Sequence, residues 1–90
     1  MRKNRFENRI IFEILQVINE DKCTGSTISR KVNVPYTKFK ELEETLLRKD
    51  LIQAYYDDGH IYYRLTEKGK KLLNEYLKFK ELMKMYGIEW

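Results

Sequence analysis

Leu51-Ile52-Gln53-Ala54-Tyr55-Tyr56-Asp57-Asp58-Gly59-His60-Ile61-Tyr62-Tyr63-Arg64-Leu65-Thr66 is the stretch on which the fold turns. Asp58-Gly59 marks a two-residue hairpin, because that turn needs positive φ at both central positions. Folding the strands on it sets Asp57 opposite His60, Tyr56 opposite Ile61, Ala54 opposite Tyr63 and Ile52 opposite Leu65. Side chains alternate along a strand, so Tyr56, Ile61, Ala54, Tyr63, Ile52 and Leu65 share one face. Tyr55/Tyr62 and Gln53/Arg64 take the other. The register closes with no slip.

Upstream the period changes to that of a helix. Residues 5–20 place Ile11, Ile14, Leu15 and Ile18 at i, i+3, i+4 and i+7, with Ile10 and Val17 widening the stripe. Asp21 to Gly25 is a break. Thr24 or Ser26 can cap a short helix, Thr27–Val32, that buries Ile28 and Val32. Asn33-Val34-Pro35 interrupts it, because proline cannot donate and restricts the residue before it. Proline also suits the start of the next helix. That helix is predicted over Tyr36–Lys49, with Phe39, Leu42 and Leu46 facing inward and Leu47 beside them. Its outward face then carries Thr37, Glu41, Glu44 and Arg48.

Downstream, Thr66 caps a last helix. Leu72, Tyr76, Phe79, Met83 and Tyr86 are spaced 4-3-4-3, a heptad seam that a further step extends to Trp90. Leu73 and Leu77 form a second stripe, expected to pack on the head. A helix of about twenty residues is about 30 Å long, more than a three-helix head covers, so the end of the seam is expected to meet a partner helix. Gly87 is a candidate terminator. The expected division is a head, residues 1–66, continuous with a dimerisation helix, residues 67–90.

Ninety residues, 42% of them hydrophobic and 36% charged, make one globular domain. No apolar run reaches membrane-span length, and the charged start carries no cleavage signal. The lone Cys23 forms no internal disulfide, which fits a reduced, cytoplasmic setting. One cysteine and one histidine leave the usual zinc sets incomplete, so no metal or cofactor is expected. No glycine-rich phosphate loop or nucleophile elbow is present, and no catalytic residue is assigned. No small-molecule ligand or membrane partner is evident.

Eighteen basic residues against fourteen acidic give a net charge of +4. Between Lys22 and Lys40 there is no acid at all, only Lys22, Arg30, Lys31, Lys38 and Lys40. A second basic group, Arg2, Lys3, Arg5 and Arg9, opens the chain. Residues 41–58 are acidic, with Glu41, Glu43, Glu44, Asp50, Asp57 and Asp58. The order helix, short helix, turn, helix, hairpin, long helix is that of a winged helix-turn-helix: mainly α with a small β-hairpin and a long C-terminal helix. Such a unit presents its second helix to a major groove. The acid-free stretch coincides with the turn and the start of that helix, where free N–H groups also favour phosphate.

Three segments carry a family likeness: Val34-Pro35-Tyr36-Thr37-Lys38-Phe39-Lys40-Glu41-Leu42, Leu46-Leu47-Arg48-Lys49-Asp50-Leu51-Ile52, and Tyr62-Tyr63-Arg64-Leu65-Thr66-Glu67-Lys68-Gly69. Over residues 8–86 the chain resembles archaeal winged-helix DNA-binding proteins. It is most similar to the small basic crenarchaeal chromatin-type family that dimerises through a C-terminal helix. The resemblance implies an antiparallel coiled-coil homodimer with a DNA-binding head at each end, nucleoid-associated. Asp50 stands where that family's pattern has glycine, at a turn where Asp tolerates the left-handed region.

The expected partner is double-stranded DNA, bound as a transcriptional regulator or as a chromatin protein. Lys38 and Lys40 are assigned to phosphate, and Thr37 to phosphate or a base edge. Tyr36 either bonds phosphate or packs beside the turn. Arg30 and Lys31 are assigned to the backbone from the short helix, and Arg64 from the wing. The dimerisation residues are Leu72, Tyr76, Phe79, Met83 and Tyr86. The competing reading is a protein–protein interaction module using Glu41, Glu43 and Glu44. Tyr55 and Tyr62 shield the third helix, line an interface or form a cross-strand pair. His60 is expected to be solvent-exposed, and Cys23 a small buried thiol.

Overall fold

The computed structural model describes residues 3–89. Arg2 and Trp90 lie outside the described residues, as do the side chains of Lys3 and Arg5 from the N-terminal basic group. Four helices and one hairpin follow in order: α1 (Lys3–Glu20), α2 (Gly25–Lys31), α3 (Tyr36–Arg48), β1 (Ile52–Asp57), β2 (His60–Leu65) and α4 (Glu67–Met85). The fold is mainly helical with a two-stranded antiparallel wing.

Local chemistry explains most boundaries. The Thr24 hydroxyl, not Ser26, accepts from the Thr27 N–H and starts α2 two residues earlier than the sequence suggests. Asn33 and Asp50 close α2 and α3 in the left-handed region, each at φ 60°. At Asp50 the N–H of Leu51 returns to the Leu46 carbonyl and the N–H of Asp50 to Leu47, the bond pair of a Schellman cap. Asp58 and Gly59 have φ 50° and 84°, the two positive angles their turn requires. The register is as read from the sequence, from Asp57 opposite His60 to Ile52 opposite Leu65. Gly87, at φ 76°, ends α4, with the Ile88 N–H returning to the Met83 carbonyl.

The core gathers Ile14, Leu15 and Ile18 of α1, Ile28 of α2, and Phe39, Leu42 and Leu46 of α3. Ile52, Tyr63 and Leu65 join from the wing, and Leu73 and Tyr76 from α4. Only the base of the hairpin's inner face is covered. Tyr56 and Ile61, on the same face, are 73% and 52% exposed, because the helical head ends below them. Leu47 also departs from expectation. It is exposed, since Phe39, Leu42 and Leu46 already fill the face of α3 that meets the core.

The tight join between α3 and α4 comes from Leu65-Thr66-Glu67-Lys68-Gly69. The Thr66 hydroxyl accepts from the Gly69 N–H at 2.9 Å and donates to the Asp50 carbonyl at 2.7 Å. Lys68 Nζ donates to the Lys49 carbonyl, and the Thr66 N–H to that of Leu51. A side chain at Gly69 would place its Cβ 2.1 Å from the Leu51 carbonyl oxygen. Glycine here is required by close approach of two backbones.

Helix α4 packs on α1 and β2. Tyr76 leaves the expected seam and stacks on Phe12 of α1, centroids 4.0 Å apart and rings parallel within 1°. Leu72 packs against the same core. Leu77, expected inside, is 36% exposed because the helix has turned its Leu73 face to the head. Past Tyr76 no described residue of α4 is buried. Phe79, Leu82, Met85 and Tyr86 are exposed and Met83 half-buried. No helix among the described residues is long and apolar enough to cross a membrane.

Candidate nucleic-acid interface

Helices α2 and α3 pack against each other, joined by the Asn33-Val34-Pro35 turn. Pro35 is the N-cap residue of α3 at φ −61° and supplies no side-chain cap, so the first N–H groups of α3 lack one. Tyr36 and Thr37, both exposed, stand beside them. Tyr36 is 49% exposed, with its ring 6.0 Å from that of Phe39. Thr37, Glu41, Glu44 and Arg48 are all exposed, the outward face expected from the sequence.

The structure brings the basic residues of 22–40 to the surface of this unit. It also supplies each lysine with an acid from outside the acid-free stretch. Lys22 Nζ lies 2.6 Å from Asp57 on the wing, and Lys31 Nζ 2.8 Å from Asp21. Lys38 pairs with Glu7 of α1 and lies 3.6 Å from Glu41. Lys40 lies 2.7 Å from Glu43 and reaches over the Tyr36 ring. Hydrogen bonds to these carboxylates, first among the causes, raise all four ammonium groups above the usual lysine range. Every one is therefore a full cation at neutral pH. Arg30, exposed on α2, makes no ion pair among the described residues.

Glu43 corrects an expectation. It is buried rather than available to a partner, because Tyr63 of β2 reaches across and donates its hydroxyl to the Glu43 carboxylate. Burial, and then that bond, push the Tyr63 phenol well above its ordinary value. On the wing's outer face Arg64 lies 4.2 Å from the Tyr55 ring centre, and Tyr55 packs 5.9 Å from Tyr62. The tyrosines are thus a cross-strand pair that supports Arg64. His60 is exposed, its ring centre 6.4 Å from that of Tyr62 in a T-shaped arrangement, and Cys23 is buried. Among the described residues no cluster of three or more acids, histidines or cysteines could hold a metal ion.

The pairings of Glu7, Asp21 and Asp57 leave no signal in the sequence, because their partners lie 31, 10 and 35 residues away along the chain.

A family model described as winged helix-turn-helix matches residues 3–84. Among solved structures, a mutant of S. aureus MepR bound to an oligodeoxyribonucleotide is 22% identical. It covers 86% of this chain and 60% of its own, with a TM-score of 0.76. Streptococcus pneumoniae FabT in complex with DNA is 20% identical, covering 84% and 56%, with a TM-score of 0.75. AF1382 from Archaeoglobus fulgidus is 19% identical, covering 92% and 97%, with a TM-score of 0.76. At these identities the likeness is one of fold. The chain spans little more than half the length of the MepR and FabT chains. No curated protein matches it in sequence.

Proposed function

We propose that this chain, which belongs to the winged helix-turn-helix family, is a double-stranded DNA-binding regulator that docks α3 in the major groove with the β1–β2 wing alongside. The observation that carries the reading is the placement of Arg30, Lys31, Lys38 and Lys40 on the α2–turn–α3 unit, exposed or at its edge and all charged. Lys38 and Lys40 take phosphate, Thr37 phosphate or a base edge, and Arg64 a phosphate beside the wing. No arginine leads α3 to grip guanine, so backbone contacts dominate and base discrimination is weak. That favours a permissive operator or a chromatin-type, nucleoid-associated role over a stringent one. It is a binding protein, with no catalytic step assigned.

The reading includes a homodimer. Phe79, Met83 and Tyr86 keep the heptad spacing along the last turns of α4, with Phe79 and Tyr86 exposed, which suits a second copy of the same helix. Phe79→Ala with Met83→Ala should give monomers in light scattering.

The test of DNA binding is a shift assay on duplexes at rising salt. A dimer that neutralises about 3–5 phosphates per head shows a slope of roughly −5 to −9 in log affinity against log salt. Lys38→Glu with Lys40→Glu should lower affinity by orders of magnitude. Glu41 and Glu44, exposed on the same face, favour the competing reading of a protein-interaction module. Under that reading the double charge reversal leaves partner binding nearly unchanged.

A further inference from the structure

Five carboxylates occupy the four lysines between positions 22 and 40, and one of these arrangements differs from the rest. Lys22–Asp57 and Lys31–Asp21 join one ammonium to one carboxylate, with side chains about half exposed. Lys40 faces Glu43, which Tyr63 holds in place. Lys38 instead sits between two carboxylates, Glu7 of α1 and Glu41 of its own helix. The Lys38 and Glu7 side chains are only 31% and 27% exposed, so water and salt screen this pair less than the outer ones. A phosphate oxygen approaching Lys38 offers the same kind of bond as the Glu7 carboxylate and meets two like charges on the way.

From this arrangement we propose that Glu7 is a built-in competitor for the DNA backbone: it holds Lys38 in the free protein and lowers the affinity of the α3 surface without itself touching DNA. The inference rests on the DNA-binding reading above. Glu7 reaches Lys38 from 31 residues upstream, so the competition depends on the packing of α1 into the head and not on local sequence. Neutralising Glu7 removes the nearer of the two carboxylates that hold Lys38 and leaves it with Glu41, 3.6 Å away. The gain fades as salt screens the pair.

The experiment compares the full-length chain with Glu7→Gln and with Glu75→Gln, an exposed glutamate of α4 whose loss changes net charge equally. Fluorescence anisotropy with a mixed-sequence duplex reads the affinity. At about 50 mM salt Glu7→Gln should bind at least about threefold tighter, and Glu75→Gln within about twofold of the parent. The Glu7→Gln gain should shrink at about 300 mM and vanish in a Lys38→Gln background. Equal gains from the two glutamates, or a gain that survives Lys38→Gln, overturn the proposal. Nitrogen NMR of the lysine ammonium groups tests the contact without DNA: Lys38 should titrate at lower pH in Glu7→Gln, and an unchanged titration overturns it. If the contact is seen but no chain binds duplex, it is the DNA-binding reading that fails, and the competitor role with it.

Discussion

Tyr63 on β2 donates its hydroxyl to Glu43 on α3, inside the contact between wing and helix. The bond satisfies a buried carboxylate that also faces Lys40, and it sets the wing against the helix proposed to enter the groove. Tyr63→Phe keeps the ring's edge-on contact with Phe39 and removes only the hydroxyl. It should cost about 1–3 kcal/mol in urea unfolding.

The same bond predicts alkaline behaviour. The native phenol is raised above its ordinary value, by burial and then by Glu43, so folding favours the protonated form. Its contribution is complete below the unfolded tyrosine value of about 10 and is lost as pH rises above it. Lys22, Lys31, Lys38 and Lys40 are raised too and act in the same direction. Stability measured by denaturant should fall above about pH 10. In absorbance titration, the Tyr63 phenol should ionise only as the chain unfolds. That late fraction should be missing from Tyr63→Phe.

Gly69 and Asp50 lie at the two ends of the α3–α4 join and should respond oppositely to substitution. Gly69→Ala drives a Cβ into the Leu51 carbonyl and should lower the melting midpoint sharply or prevent folding. Asp50→Gly relieves a left-handed non-glycine residue and should raise stability by several tenths to about 1 kcal/mol in denaturant melts.

The two ends of the former seam should also separate. Tyr76 is a core residue stacked on Phe12, so Tyr76→Ala should cost about 3–5 kcal/mol of folding stability. Met85→Asp with Tyr86→Asp alters two side chains that are each about three-quarters exposed. Thermal midpoint at low protein concentration should hold, while light scattering shifts from dimer to monomer. A parent chain that is already monomeric would rule out the homodimer.

Arg30 needs to leave no carboxylate before reaching a phosphate, among the described residues, whereas Lys31 must leave Asp21. Arg30→Ala should therefore weaken duplex binding more than Lys31→Ala, by severalfold at low salt, and flatten the salt slope by about 1 per head. Anisotropy at a series of salt concentrations checks both.

The wing was legible to the residue because its signals are local: a period of two, and a turn whose Asp58-Gly59 chemistry admits one geometry. Thr66 and Gly87 were legible as helix ends for the same reason. The charge pattern was half legible. Counting along the chain finds Lys22 and Lys38 but not their pairing with Asp57 of the wing and Glu7 of α1, which only folding brings to them. Tyr76 fits a heptad and a core stripe equally well, and only the position of Phe12 decides between them. Glu43 counts with Glu41 and Glu44 as available to a partner protein in the competing reading, because nothing near it in sequence reveals the hydroxyl that crosses from β2.

The Leu51 carbonyl pressed against Gly69 makes α4 a rigid arm fixed at the foot of α3. The arm is about 28 Å long, so a swing of about ten degrees at its base carries its tip roughly 5 Å. Read in reverse, gripping the tip constrains the pitch of α3 with that same mechanical advantage.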